Sequence, residues 1–200
     1  MKNPGLHNFF SKFPSFTLDK VVLRDLQLKD AENYFNLYNF PEVSEYLSDE
    51  DVPKSVDEAL KDVKFWGGLF YQKRSIFWAI ADKETDNLIG TVGFVGWNFH
   101  NRRLEVSYDL MPQYWRQGIM TGVLTEVFKL AFNKMQAYRI EARTMVKNEK
   151  SQAILRKIGF EHEGILRGYR IINKKPEDIT LFSLIAPDYA KINRQIGPIS

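Results

Sequence analysis

"LEVSYDLMPQYWRQGIMTGVL", residues 104–124, reads as a strand, a short loop and the opening of a helix. In the strand-like run 103–110 Glu105 alternates with Leu104 and Val106, as a strand requires. The pattern changes after Pro112. Ile119, Val123, Val127 and Ala131 form one row at helical spacing, with Met120, Leu124 and Phe128 beside it, so a helix is expected from near Gly118 to about Lys134. Glycine at a helix mouth costs about 1 kcal/mol relative to alanine, which implies that something approaches the backbone there. The N–H groups of a first helical turn lack internal partners and sit at the positive end of the helix dipole, so the junction can cradle a phosphate. Arg116 can add charge at the rim and Thr121 a hydroxyl. A plain loop-to-helix junction anchored by Tyr114 and Trp115 is the alternative reading. The stretch is not a Walker loop, and no G-x-G-x-x-G opens the helix.

Upstream, "KVVLRDLQ" (20–27) predicts a strand, and "KDAENYFNLYNF" (29–40) a helix with Ala31, Tyr34, Phe35 and Tyr38 at helical spacing, stopped by Pro41. "SVDEALKDVKFWGGLF" (55–70) predicts a second helix with a Ser55/Glu58 capping box. Runs 75–82, 88–97 and 103–110, separated by short polar connections, predict an antiparallel meander. Gly90, Gly93 and Gly96 lie inside a strand run followed by another strand, which favours close packing or a bulge over a ligand loop. Downstream, 138–146 alternates as a strand. "NEKSQAILRKIGF" (148–160) predicts a short helix with Asn148 as N-cap and Gly159 beyond its end. Two further strands, 164–173 and 178–185, are joined by a turn placed around Pro176. The order β-α-α-β-β-β-α-β-α-β-β predicts one α/β (α+β) domain with a single sheet and helices packed on it.

Two hundred residues, 44% of them apolar, suffice for one substantial core. Twenty-eight basic residues against 25 acidic, spread along the chain, leave no nucleic-acid footprint. The absence of cysteine excludes a disulfide framework and a thiol nucleophile and fits a cytoplasmic setting. No run approaches the length of a membrane span, so no membrane partner is expected. His7, His100 and His162 lack ligand spacing, so no metal is expected.

The run 104–124, followed by "NEKSQAILRKIGFEHEGILRG" (148–168) and "DITLFSLI" (178–185), resembles the GNAT acyltransferases, and within them the ribosomal-protein alanine N-acetyltransferase (RimJ/RimL-like) group. The resemblance covers roughly residues 17–190. It implies a mixed, mostly antiparallel seven-stranded sheet splayed at the cofactor site, flanked by an N-terminal arm (1–16) and a C-terminal tail (191–200). It implies acetyl-coenzyme A as cosubstrate, its pyrophosphate on the amides of Arg116, Gln117, Gly118, Ile119, Met120 and Thr121. The pantetheine arm is expected against Asp109, Leu110 and Met111, with Asn148 and Ser151 as further contacts. Many GNAT enzymes carry a general-acid tyrosine where Leu155 stands here, so that mechanism is not expected.

Acetyl transfer to an amine needs a base, a stabilised oxyanion and a proton for the leaving thiolate. Glu105 matches the glutamate of the family's "AEIGY"-like strand, thought to act through water; an ion pair with Arg103 or Arg143 is its structural alternative. Ser151 is the nearest hydroxyl to the thiolate, although a serine in a first helical turn can instead cap backbone N–H groups. The oxyanion is expected at a backbone N–H near Leu110 or Met111. The expected acceptor is the α-amine of a protein N-terminus, ribosomal by resemblance, reached by direct transfer in a ternary complex. A small-molecule amine acetyltransferase (polyamine, amino acid or antibiotic) and a non-catalytic coenzyme A sensor are the other readings. Either a monomer or a homodimer is compatible with the sequence.

Overall fold

The computed structural model describes residues 9–196. His7, the first eight residues of the arm and the last four of the tail lie outside them. Eight strands form one sheet: β1 (Phe16–Thr17), β2 (Val21–Asp25), β3 (Phe77–Asp82), β4 (Leu88–Asn98), β5 (Arg103–Leu110), β6 (Arg139–Met145), β7 (Glu161–Ile172) and β8 (Lys175–Ile185). Six helices accompany them: α1 (Ala31–Asn39), α2 (Pro41–Ser44), α3 (Val56–Tyr71), α4 (Ile119–Asn133), α5 (Glu149–Lys157) and α6 (Ala186–Ile196). Spatial order is β1-β2-β3-β4-β5-β6-β8-β7. Every pairing is antiparallel except β5 with β6, the pair joined through α4, because a parallel neighbour needs a crossover.

That parallel pair makes the site. Its pairing runs only from Arg103↔Arg139 to Val106↔Ala142, whereas β6 stays paired with β8 to Met145↔Ile179 and β5 with β4 to Gly90↔Leu110. Beyond Val106 the sheet therefore opens between β5 and β6. The Met111 N–H bonds the Ile89 carbonyl at 2.9 Å, so by antiparallel alternation the backbone edges of Tyr108 and Leu110 face the gap. Side-chain alternation sends these two residues to one face of the sheet and Glu105 and Asp109 to the other. Tyr108 accordingly meets α5 and Asp109 meets α1.

The row expected on α4 is buried throughout, from Ile119 to Ala131. Burial of each large apolar side chain in such a core stabilises by roughly 1.5–3 kcal/mol. Gly90 and Gly93 serve packing, as expected: a Cβ on Gly93 would stand 2.4 Å from the Phe77 ring, and one on Gly90 2.5 Å from the Asp109 carbonyl. Gly96 lies at the register shift between β4 and β5. Phe9, Phe10, Phe13 and Phe16 of the arm pack on Phe70, Trp78 and Trp97 of their own domain, and the Trp78 indole donates to the Pro14 carbonyl at 2.6 Å.

Several local expectations change. β1 is an eighth strand, two residues long. Pro41 ends α1 but also opens α2 at its first position, where its missing N–H costs nothing. Ser55 caps α3 through the Glu58 N–H, yet the Glu58 carboxylate reaches the Lys54 N–H rather than that of Ser55. The last hairpin turns at Asn173 and Lys174, both in the left-handed region, which a two-residue primed turn requires. Pro176 stands inside β8 opposite Ile171, a segment that projects past the end of β6, where no β6 neighbour needs its missing N–H. Helix α6 spans the boundary placed at residue 190. Among the described residues no helix is long and apolar enough to cross a membrane.

Candidate active site

The opening of the sheet is the floor of a cleft of about 450 Å³. One wall is the β5 end with the loop into α4, the opposite wall α5, and the rim near α1 is Glu42, Val43 and Tyr46. At the α4 end Gly118 is the N-cap, at φ +76°. A Cβ there would meet nothing within 4 Å, so the left-handed backbone rather than crowding by the protein selects glycine. The first internal bond of α4 runs from the Gly122 N–H to the Gly118 carbonyl, and no side chain caps the helix. The N–H groups of Ile119, Met120 and Thr121 are thus the unpartnered first turn. Arg116 is itself left-handed, at φ +60°, and it lines the cleft with Lys150 and Lys157. The Lys150 ammonium sits 4.3 Å from the centroid of the Trp115 ring, while the Trp115 indole donates to the Leu110 carbonyl at 2.7 Å. That last bond occupies the edge carbonyl of Leu110 and leaves its N–H facing the gap.

Where β5 lines the cleft, two polar groups stand on its opposite faces. On one face the Tyr108 hydroxyl lies 2.8 Å from the Ser151 hydroxyl. Ser151 does not use that hydroxyl as a cap; Asn148 is the N-cap, accepting from the Ser151 N–H at 3.0 Å. Burial pushes the Tyr108 phenol well above its ordinary value, with the bond to Ser151 opposing. On the other face Asp109 accepts a hydrogen bond from Tyr38 at 3.1 Å, and the Tyr38 oxygen also lies 3.1 Å from the Thr91 hydroxyl. Burial raises the Asp109 carboxyl from 3.8 to about 6, against the lowering effect of Tyr38. Tyr38 is raised in turn, first by burial and then by the Asp109 charge.

The sequence-derived set is mostly brought together. Asp109, Leu110, Arg116, Gly118, Ile119, Met120, Thr121, Asn148 and Ser151 all line the cleft. Met111 and Gln117 do not: Met111 is buried with its N–H on Ile89, and Gln117 turns to Lys20 and to the Gln113 carbonyl. Glu105 lies on the Asp109 face but two pleats earlier, about 13 Å along the strand. Its carboxylate bonds Arg143, which also holds Glu141 at 2.9 Å. Arg139 extends this chain of charges to Glu163. Of the two ion pairs weighed for Glu105, Arg143 is the one formed. Sequence reasoning passed over Tyr108, Tyr38 and Lys150. Strand parity put Tyr108 on the Val106 face, toward the helix that carries Ser151; nothing local could pair Tyr38 with a residue 71 positions away.

Unpaired first-turn amides beside an opened sheet edge, with the Tyr108–Ser151 hydroxyls and the Asp109 carboxylate on the two faces of β5, form one candidate site. Unpartnered amides, three cations and a free backbone edge fit coenzyme A. Residues 20–161 match the family model described as "Acetyltransferase (GNAT) domain". The chain is 34% identical over 175 residues to YoaA of Bacillus subtilis, an uncharacterised N-acetyltransferase, covering 88% of this chain and 98% of the relative. Among solved structures, ribosomal-protein-S5-alanine acetyltransferase from Vibrio fischeri superposes with TM-score 0.78 at 24% identity, covering 88% and 98% of the two chains. RimL, a ribosomal L7/L12 α-N-protein acetyltransferase solved with coenzyme A, gives TM-score 0.78 at 19% identity, covering 86% and 98%. The chain belongs to the GNAT family and is an N-acetyltransferase.

Proposed function

We propose that this enzyme transfers acetyl from acetyl-coenzyme A directly to a primary amine in a ternary complex, in the cytoplasm, with the α-amine of a protein N-terminus as its main acceptor. The observation that carries the reading is the adjacency of Tyr108 and Asp109 at the opened edge of β5. Both residues line the same cleft, one with a hydroxyl pair on one face of the sheet and the other with a carboxylate on the opposite face. Bound acetyl-coenzyme A supplies an activated thioester. The first-turn amides of α4, with Arg116, Lys150 and Lys157, hold its phosphates. The Leu110 N–H donates to the developing oxyanion, and the Tyr108–Ser151 pair brings a proton to the leaving thiolate. A hydroxyl far above neutral pH is a weak acid, so the pair acts by passing a proton along rather than by ionising. The acceptor's proton goes to a carboxylate of the β5 acceptor face, for which Glu105 through water is the sequence's own candidate.

The names of the ribosomal-protein acetyltransferases that share the fold support an α-amine. A polyamine site needs several acids, and the acidic run "SDEDV" (48–52) is not part of the cleft wall, where Glu42 and Asp109 are the two acids. That lining suits one amine better than a polyamine. The test is incubation with acetyl-coenzyme A, peptides beginning with Ala, Ser or Met and carrying internal lysines, and spermidine, with the acetyl group located by fragment mass spectrometry. Acetyl on peptide α-amines is expected; acetyl on spermidine alone would replace the reading with the small-molecule one.

A further inference from the structure

We infer that Asp109 is the group that takes the proton from the acceptor amine. The inference rests on the amine-acetyltransferase reading and names the base of that site. Three observations of placement carry it. Asp109 lines the cleft and immediately precedes Leu110, whose free N–H faces the gap. It lies on the face of β5 opposite the Tyr108–Ser151 hydroxyls, so nucleophile and leaving group approach from different sides. Finally, Oδ2 is fixed by Tyr38 while Oδ1 has no hydrogen-bond partner among the described residues, which leaves one oxygen to meet the amine.

The charges around the two β5 carboxylates separate their roles. Glu105 is held by Arg143 and is not among the residues that line the cleft. The ionisable groups facing Asp109 are Tyr34 and Tyr38 from α1 and Tyr108 from β5; Thr91 of β4 completes the wall through Tyr38. None of these is a cation. A lone anion there attracts an ammonium, and its carboxyl near 6 makes it a better base than an ordinary aspartate. An α-ammonium has an ordinary pKa of about 7.7–8, so transfer to such a carboxylate is uphill by about two decades; from a lysine, near 10.4, it is uphill by more than four.

The step balances. The ammonium gives one proton to Oδ1 of Asp109, and the neutral nitrogen forms the C–N bond to the acetyl carbon as the C–S bond breaks. The nitrogen then carries one proton too many and the thiolate one too few. The Tyr108–Ser151 hydroxyls deliver a proton to sulfur and are refilled from the nitrogen through water, while Asp109 returns its own proton to solvent.

The test compares the full-length wild type with Asp109→Asn and Tyr38→Phe. Thiol release is followed from pH 5.5 to 9 with acetyl-coenzyme A and a peptide with an N-terminal alanine. Carboxyl carbons are titrated by NMR in the acetyl-coenzyme A complex, the Asp109 signal being assigned by its loss in Asp109→Asn. The expected result is a fall in kcat/KM of at least about a hundredfold in Asp109→Asn, an unchanged Kd for acetyl-coenzyme A, and loss of the acid limb near pH 6. Tyr38→Phe should move that limb upward, because the hydrogen bond holding the carboxyl down is gone. The inference is overturned if Asp109→Asn turns over within threefold of wild type, or if the Asp109 carboxyl titrates in the ordinary aspartate range. Wild-type protein that acetylates no amine would refute the function proposed above, and the carboxyl titration still decides whether Asp109 is a poised base.

Discussion

Replacing Asp109 with asparagine should make the folded protein more stable at neutral pH, and the gain can be worked out. Asparagine keeps an oxygen to accept from Tyr38, so the bond at 3.1 Å survives the change. What disappears is a buried charge. Folding raises the carboxyl from 3.8 to about 6, chiefly by burial, and a group of this kind binds more protons folded than unfolded between those values. Stability therefore falls as pH rises from about 4 to about 6 and stays low above that. At 1.36 kcal/mol per pH unit the loss is up to about 3 kcal/mol. Below pH 4 both states are protonated and the penalty vanishes. The assay is urea unfolding of wild type and Asp109→Asn at half-unit steps from pH 4 to 7.5, because other titrating groups act on both proteins alike. The difference in unfolding free energy should grow in favour of the variant across that range, by about 2–3 kcal/mol. A difference that stays flat with pH would show that the fold does not strain to hold this charge, and the reasoning from burial would fail.

Gly93→Ala must push a Cβ into the Phe77 ring and to 2.7 Å from the Ile76 carbonyl; overpacking of this kind costs about 1–3 kcal/mol, or a Tm lower by roughly 3–10 °C at this size, and an unchanged melt would contradict the packing role. Tyr108→Phe and Ser151→Ala should each lower kcat about 10–100-fold while leaving the Kd for acetyl-coenzyme A within twofold; a loss of cofactor affinity in place of kcat would make the pair a binding feature only. Glu163 is lowered to about 2 by Arg139 first and Ser183 second, so it contributes stability present above pH 4.5 that is lost as pH falls toward 2. Glu163→Gln should therefore show a shallower loss of stability in acid than wild type, measured by circular dichroism, and parallel acid transitions would refute the contribution.

Where one local rule governs, the structure follows the sequence closely. The apolar rows of α4 coincide with its buried face because a core helix admits no other period. Asn148 and Gly159 end α5 as their chemistry requires: one accepts from the first-turn N–H of Ser151 and the other takes φ +93°. The gap between β5 and β6 could be expected only by family resemblance, since no residue between 103 and 110 marks where pairing with β6 stops. The hairpin at Asn173–Lys174 escaped because neither residue is glycine, although both adopt positive φ. In the site, the uncapped start of α4 was legible because glycine at a helix mouth is locally expensive. The reacting end was not: the separation of Tyr108 from Asp109 depends on which helix covers each face, and Glu105, the residue that matched a motif, is held in a row of ion pairs. Asp109 entered only through the family resemblance, and nothing in its local sequence marks a carboxyl raised by burial.

The most direct test of the account is a crystal structure of the wild-type protein with coenzyme A. The diphosphate is expected on the amides of Gly118 to Thr121, the pantetheine arm along the Tyr108 and Leu110 edges, and the thiol between the Ser151 hydroxyl and the Asp109 carboxylate. Coenzyme A seated outside the β5–β6 opening, or with its thiol remote from both groups, would contradict it.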